Sequence, residues 1–223
     1  MEKLRRLLKK ISIIPLKYFY PTLYKFESSA TYVDKLQNNI YDCNISPLAK
    51  VYAPATLIHV SLGDYSYIAQ NSYINVTEIG KFCSIGPNVS CAWGIHPTNG
   101  ISTSPAFYST RKQCGHTFSD TDKIEEILPI EVGNDVFIGM NVTILNGVTI
   151  GDGAIIGAGT VVSKNIPPYA VAYGNPIEIK RYRFDEVTIE KLLKMQWWNF
   201  DLENLQEIEK HFFDIDYIIK TYS

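Results

Sequence analysis

Four histidines, His59, His96, His116 and His211, are the side chains of this sequence whose ordinary titration range suits a general base at neutral pH. His211 falls in a C-terminal stretch with helical spacing, and His59 in a run of regularly spaced aliphatic residues. His96 lies in the segment GIHPTNG and His116 follows it, both in an irregular stretch that also holds Trp93, Phe107 and Tyr108. A three-histidine zinc centre needs ligands at suitable spacing, and the sequence contains no HxxxxH, so no metal is expected. The cysteines Cys43, Cys83, Cys91 and Cys114 form no CxxC pair. Proton transfer by a loop histidine is therefore the chemistry to look for, with His96 and His116 as the candidates.

A base needs a scaffold, and the spacing supplies one. Val132, Ile138, Ile144, Ile150, Ile156 and Val162 recur every sixth position, and Val136, Val142, Val148, Ala154, Thr160 and Ile166 follow each of them by four. Neither a helix nor a flat strand gives this period. A chain that turns a corner every six residues does, which predicts a parallel β-helix with one aliphatic column down its axis. A looser series, Val51, Leu57, Leu62, Ile68, Ile74, Ile79 and Ile85, precedes it. Its two five-residue intervals, Leu57–Leu62 and Ile74–Ile79, fall one coil apart, so one corner is tightened in successive turns. Cys83 takes an inward, small-residue place in this series, where it acts as a compact hydrophobe. The repeat stops between about Ser90 and Leu128 and resumes in phase at Val132. So long an interruption, rich in aromatic residues, reads as an ordered loop that carries a site.

The chain has 223 residues with a formal net charge of -2, so no global field argues for nucleic acid. Unpaired thiols and the lack of a secretory leader point to a reducing, cytoplasmic setting. Residues 1–26 carry Lys3, Arg5, Arg6, Lys9, Lys10, Lys17 and Lys25 against the single acid Glu2, with Leu4, Leu7, Leu8, Ile11 and Ile14 at helical spacing. This stretch is either a helix packed on the body or a neighbouring subunit, or a basic amphipathic segment in peripheral contact with an anionic membrane. After Pro167-Pro168 and Gly174-Asn175-Pro176, helical spacing takes over at Ile189, Leu192, Leu193 and Trp197, and again at Leu202, Leu205, Ile208 and Phe212. The expected division is a basic, partly helical extension over 1–45, a β-helix over 46–180 with an insertion at 90–131, and a helical cap over 181–223. Trp197 and Trp198 are expected to plug the open end of the solenoid.

The stretches IGKFCSIGPNVS, GIHPTNGISTSPAFY, VGNDVFIGMNVTILNGVTIGDGAIIGAGTVVSKNIPPYAVAYGNP and RFDEVTIEKLLKMQWWNF resemble the hexapeptide-repeat acyltransferases. Within that group the likeness is to the xenobiotic (streptogramin and chloramphenicol type) acetyltransferase branch and its polysaccharide O-acetyltransferase relatives. The resemblance implies a left-handed parallel β-helix, a homotrimer with active sites between neighbouring prisms, and acetyl-CoA laid along the coils. It makes His96 the match for the family's catalytic histidine, which ranks His96 as the leading base and His116 as the fallback. Carried over position by position, it places acetyl-CoA contacts at Gly139 and Met140, Ala158, Ser163, Lys164 and Arg181. Glu178 stands where relatives often carry an arginine, and Lys180 is the replacement. Ser104 occupies the place of a second histidine found in many relatives, so a two-histidine site is not expected.

Acyl transfer from a thioester to a hydroxyl requires a base, because a hydroxyl is a weak nucleophile at neutral pH. Asp120, Asp122, Glu125, Glu126 or a backbone carbonyl could orient His96. Trp93, Phe107 and Tyr108 could wall an acceptor, since aromatic faces stack on sugar rings and on hydrophobic drugs alike. The leading reading is an acetyl-CoA-dependent O-acetyltransferase acting on a sugar hydroxyl of a surface polysaccharide or its precursor. An antibiotic-inactivating acetyltransferase and a non-catalytic β-helix scaffold are the alternatives.

Overall fold

A computed structural model describes residues 38–222; residues 1–26, with the expected basic helix and membrane contact, lie outside the described residues. Short parallel strands stack in three columns to form a prism. The first face takes Lys50–Val51, Tyr67–Ile68, Ser84–Ile85, Phe137–Ile138, Ile155–Ile156 and Ala170–Tyr173. The second takes Asn39–Tyr41, the first halves of Ala55–Leu62 and Ser72–Ile79, then Ser90–Cys91, Thr143–Ile144 and Val161–Val162. The third takes Asn44–Ile45, the second halves of the two long strands, Ile130–Val132, Thr149–Ile150 and a bridge at Ile166. Pairing thus begins at Asn39, ahead of the boundary expected at 46, because the first coil already offers its backbone to Ala55–Leu62.

The expected columns are the core. Every aliphatic from Leu57 to Ile85 and from Val132 to Val162 in the two series is buried, and so are Cys83, Val89, Val136, Val142, Val148 and Ala154. Identical positions stack from coil to coil, so each branched side chain meets its like above and below, and one continuous apolar column is withdrawn from water. The five-residue intervals also have a physical cause. At the corner between the second and third faces, Asp42, His59, Val76 and Ala92 each turn the chain with a positive φ (47°, 53°, 40° and 51°). One left-handed residue makes the bend in the two long strands, whereas later coils use four residues there. Val76 is strained in this region because its branched Cβ crowds the backbone. The chain leaves the prism for its long insertion directly after Ala92, at this same tight corner.

At the C-terminal end, Glu178–Tyr182 pairs antiparallel to Ala170–Tyr173 and covers the last strand edge of the first face. Three helices follow: α1 (Glu186–Met195), α2 (Leu202–Lys210) and α3 (Ile215–Tyr222). Asp185 and Asp201 cap α1 and α2 by accepting the backbone N–H of Thr188 and Asn204, at 3.0 and 2.9 Å. The helices do not stopper the open end as expected of Trp197 and Trp198. Trp197 packs at a tilt of 47° against Phe82 at a ring separation of 5.1 Å, and Lys81 Nζ donates to Asn199 Oδ1 at 3.0 Å, so the tail lies along a flank of the prism. The hairpin strand has already covered an edge of the terminal coil, and the aromatic corner residues Tyr65, Phe82 and Tyr169 give the tail rings to pack on.

Candidate active site

The insertion is ordered by a buried carboxylate. Glu126 is only 8% exposed; its backbone carbonyl accepts the Ile95 N–H at 2.8 Å, and its side chain accepts from Ser109 Oγ and, at 2.7 Å, from Gln113 Nε2. Arg111 Nε stands 3.7 Å away and supplies a counter-charge. Asp122 accepts both the N–H and the hydroxyl of Thr110, at 2.6 and 2.8 Å, and these bonds hold its carboxyl below the usual range. These ties fix the chain on both sides of Tyr108, whose own carbonyl accepts the Lys123 N–H at 2.8 Å. Ser104 caps the 3-10 turn Pro105–Phe107 that delivers Tyr108, accepting the Ala106 N–H at 3.4 Å.

His96 is exposed, and its Nδ1 faces two oxygens: the carbonyl of Thr103 at 3.0 Å and the hydroxyl of Tyr108 at 2.7 Å. A carbonyl can only accept, so the Thr103 bond puts the proton on Nδ1 and leaves the lone pair on Nε2. This is the tautomer a general base needs. None of the four insertion carboxylates considered from the sequence makes this bond; the backbone does. The ring of Tyr108 lies edge-to-face with His96 at 6.3 Å. Burial, with the Glu126 charge adding to it, raises the Tyr108 phenol above its ordinary value, so it stays protonated at neutral pH.

Of the three expected acceptor-wall residues, two face solvent. Trp93 is 52% exposed and donates its indole N–H to the Tyr73 carbonyl at 3.0 Å, and Phe107 is 46% exposed and stacks on Phe118 at 5.3 Å. Tyr108 is 4% exposed and turns its polar end to His96, so it offers no open face to an acceptor. His116 packs edge-on against Phe118 at 4.8 Å and shares no hydrogen bond with His96. His59 pairs with Asp42 at 2.8 Å, and His211 stacks on Tyr217 at 3.7 Å beside Glu207.

The expected cofactor residues fall in two further places. Gly139, Met140 and Ala158 share the corner between the first and second faces, where a Cβ on Gly139 would meet Ala158 N at 2.6 Å. Ser163 and Lys164 follow Val161–Val162, at the corner from which the insertion springs two coils earlier. Lys180 and Arg181 lie on the hairpin strand. Lys180 forms an ion pair with Glu178 and sits 5.6 Å from the centre of the Tyr173 ring, so part of its charge is already answered. Among the described residues, Lys164 and Arg181 make no ion pair. On one prism the His96 loop and the Gly139 corner flank opposite sides of the second face.

A backbone carbonyl was among the orienters the sequence left open, but nothing in residue types singles out that of Thr103. The sequence reading missed the Asp135–Arg183 pair, which joins an early corner to the tail at 2.8 Å.

The family described as bacterial transferase hexapeptide (six repeats) matches residues 129–164. A probable macrolide acetyltransferase of Lysinibacillus sphaericus is 43% identical over 133 residues, which cover 57% of this chain and 71% of that protein. A chloramphenicol acetyltransferase of Klebsiella aerogenes is 36% identical over 132 residues, 57% of this chain; the chain spans 61% of that relative's length. Among solved structures, a maltose O-acetyltransferase from Clostridium difficile 630 superposes with a TM-score of 0.52 at 26% identity, covering 71% of this chain and 79% of that one.

Proposed function

The chain belongs to the hexapeptide-repeat acetyltransferases, and from that premise we propose that it transfers acetyl from acetyl-CoA to a sugar hydroxyl, with His96 as the general base. The observation that carries this reading is the exposed imidazole whose Nδ1–H is held by the Thr103 carbonyl. Nε2 accepts the acceptor's hydroxyl proton as its oxygen attacks the thioester carbonyl. The tetrahedral adduct then collapses, the C–S bond breaks, and the imidazolium returns the proton to the departing sulfur. Base catalysis of this kind contributes roughly 10²–10⁴ in rate.

Gly139, Met140, Ala158 and Ser163 would meet the cofactor largely through backbone groups, and Lys164, Lys180 and Arg181 would face its phosphates. Because the His96 loop and the Gly139 corner flank different sides of one prism, a site between two prisms of a homotrimer suits them better than one within a single chain. Trp93 and Phe107 would wall the acceptor, and a surface polysaccharide or its precursor offers the ring faces such a wall stacks on. Residues 1–26 would place the enzyme at a cytoplasmic, anionic membrane face. Co-sedimentation with anionic vesicles, with and without those residues, checks that placement; equal recovery would discard it.

Antibiotic inactivation is the second reading, favoured by the macrolide and chloramphenicol acetyltransferases among the relatives. Both readings are tested by incubating the protein with acetyl-CoA and either glycans or antibiotics while free thiol is followed. Release with glycans that falls by at least about 10² in His96→Ala is expected. Release with antibiotics alone selects the second reading. No release together with no coenzyme A binding by calorimetry leaves a scaffold protein.

A further inference from the structure

We propose that Tyr108 is the positioning residue of His96: its hydroxyl oxygen shares the Nδ1–H with the Thr103 carbonyl and so holds the imidazole, and the imidazolium formed during proton transfer, in place. This rests on the reading of His96 as a base. The geometry comes from three features. Tyr108 reaches Nδ1 at 2.7 Å, shorter than the 3.0 Å of the carbonyl bond. Its ring is almost wholly buried, so it has little freedom to swing away. Its backbone is fixed at both ends, by the Ser104-capped turn before it and by the Lys123 N–H on its carbonyl.

An exposed imidazole held by one carbonyl can still rotate about that bond. A second oxygen on the same nitrogen, at an edge-to-face ring angle of 84°, fixes the plane as well. When Nε2 takes up a proton, the ring becomes cationic and its Nδ1–H bonds to two oxygens strengthen, since charge-assisted hydrogen bonds are about twice as strong as neutral ones. The charged groups near the pair include Glu126, whose field reaches Tyr108, Arg111, which opposes Glu126, and Lys123, whose Nζ donates to the Phe107 carbonyl at 2.8 Å. The phenol stays neutral at working pH, so it can accept from the imidazolium without competing for the substrate proton. The serine at 104 leaves this arrangement to the tyrosine four residues on.

The test is Tyr108→Phe, which keeps the ring in its pocket and removes one oxygen. Nitrogen-15 NMR of the full chain, following His96 through a pH titration with His116 as an internal reference, needs no acceptor. In the parent protein His96 is expected as the Nδ1–H tautomer. In Tyr108→Phe the Nε2–H tautomer becomes measurably populated and the Nδ1 resonance moves, because one of the two oxygens that hold the proton on Nδ1 is gone. With an active acceptor, kcat drops about tenfold with KM unchanged, the equivalent of one charge-assisted hydrogen bond. Unchanged His96 nitrogen resonances and kcat, with only a lower Tm, would mean that Tyr108 merely packs, and the inference falls. A parent His96 found as the Nε2–H tautomer would show the phenol donating to Nδ1 and would equally overturn it. Should the NMR change appear while no acyl transfer is found with any acceptor, the proposed function fails and the positioning role stands. Tyr108→Leu, which loses both the oxygen and the ring fit, separates folding from positioning: it should lower Tm more than Tyr108→Phe yet change the His96 tautomer balance by the same amount.

Discussion

Cys83 and Cys91 lie inside the solenoid, and burial pushes both thiols up to about 12. Since the thiolate is the reactive form, neither should react with a maleimide at pH 8 until the protein unfolds. Cys114, exposed in the insertion, should label at once; mass spectrometry of the labelled peptides decides, and fast labelling of Cys83 in native protein would contradict the packing. Asp135 makes a second prediction. Burial raises its carboxyl above the ordinary range, and the Arg183 guanidinium pulls it back. Arg183 also donates to the Gly153 carbonyl at 2.8 Å and lies over the rings of Tyr169 and Phe184. Arg183→Ala leaves only the burial, so the folded pKa of Asp135 rises further. A carboxyl with a raised folded pKa favours the fold while protonated, and that contribution is lost as pH climbs through the raised value. The variant should therefore lose about 1–3 kcal/mol at pH 7 and recover part of the deficit toward pH 4. A deficit independent of pH, in melts of both proteins across that range, would exclude this account. The cysteine inside the column was legible from the six-residue period; the Asp135–Arg183 pair was not, because nothing in the sequence joins residues so far apart.

Among the elements, the glycine-marked corners define how closely coils approach. A Cβ at Gly139 would lie 2.6 Å from Ala158 N and 2.8 Å from its Cα, both backbone atoms that cannot give way. Gly139→Ala should force adjacent coils apart and cost about 1–3 kcal/mol, as overpacking does, read as a fall in Tm. Gly139 is thus required by the fold whether or not it touches coenzyme A, and its loss alone cannot assign it to a cofactor site. Unchanged stability would mean that the corner is looser than drawn. Within the insertion, Asp122 has its folded pKa lowered by two bonds from Thr110. Its stabilising effect is present above the unfolded pKa and fades as pH falls through the lowered one. Asp122→Asn should speed hydrogen exchange at Thr110 near neutral pH and lose that difference in acid; equal exchange at both pH values would refute it. The existence and order of the insertion were readable from its aromatic content. The bonds that order it were not, since Glu126 and Asp122 read as two of four equivalent acids.

For the molecule as a whole, the exposed side chains Trp93, Ile95, Ile101, Phe107 and Phe118 all belong to one insertion, and of the residues proposed to hold acetyl-CoA, Gly139, Met140 and Ala158 lie on a different corner of the prism. Sedimentation equilibrium should return the mass of three chains, and a monomer at micromolar concentration would refute a site shared between prisms. What the amino-acid order determined is the solenoid itself. A period of six with small residues four places on admits only a chain that turns regular corners, so the aliphatic columns, the tightened corner and the out-of-period loop follow from local spacing. Three things required the folded molecule. The tail lies on a flank because Phe82 and Tyr169, far apart in sequence, line one corner of the prism and offer Trp197 and Phe184 their surface. Tyr108 changed from an acceptor wall to a partner of the base because burial, which no spacing inside an irregular loop encodes, turned its hydroxyl inward. The orientation of His96 rests on a backbone carbonyl, and every residue has one; only tertiary structure decides which carbonyl stands 3.0 Å from a given nitrogen.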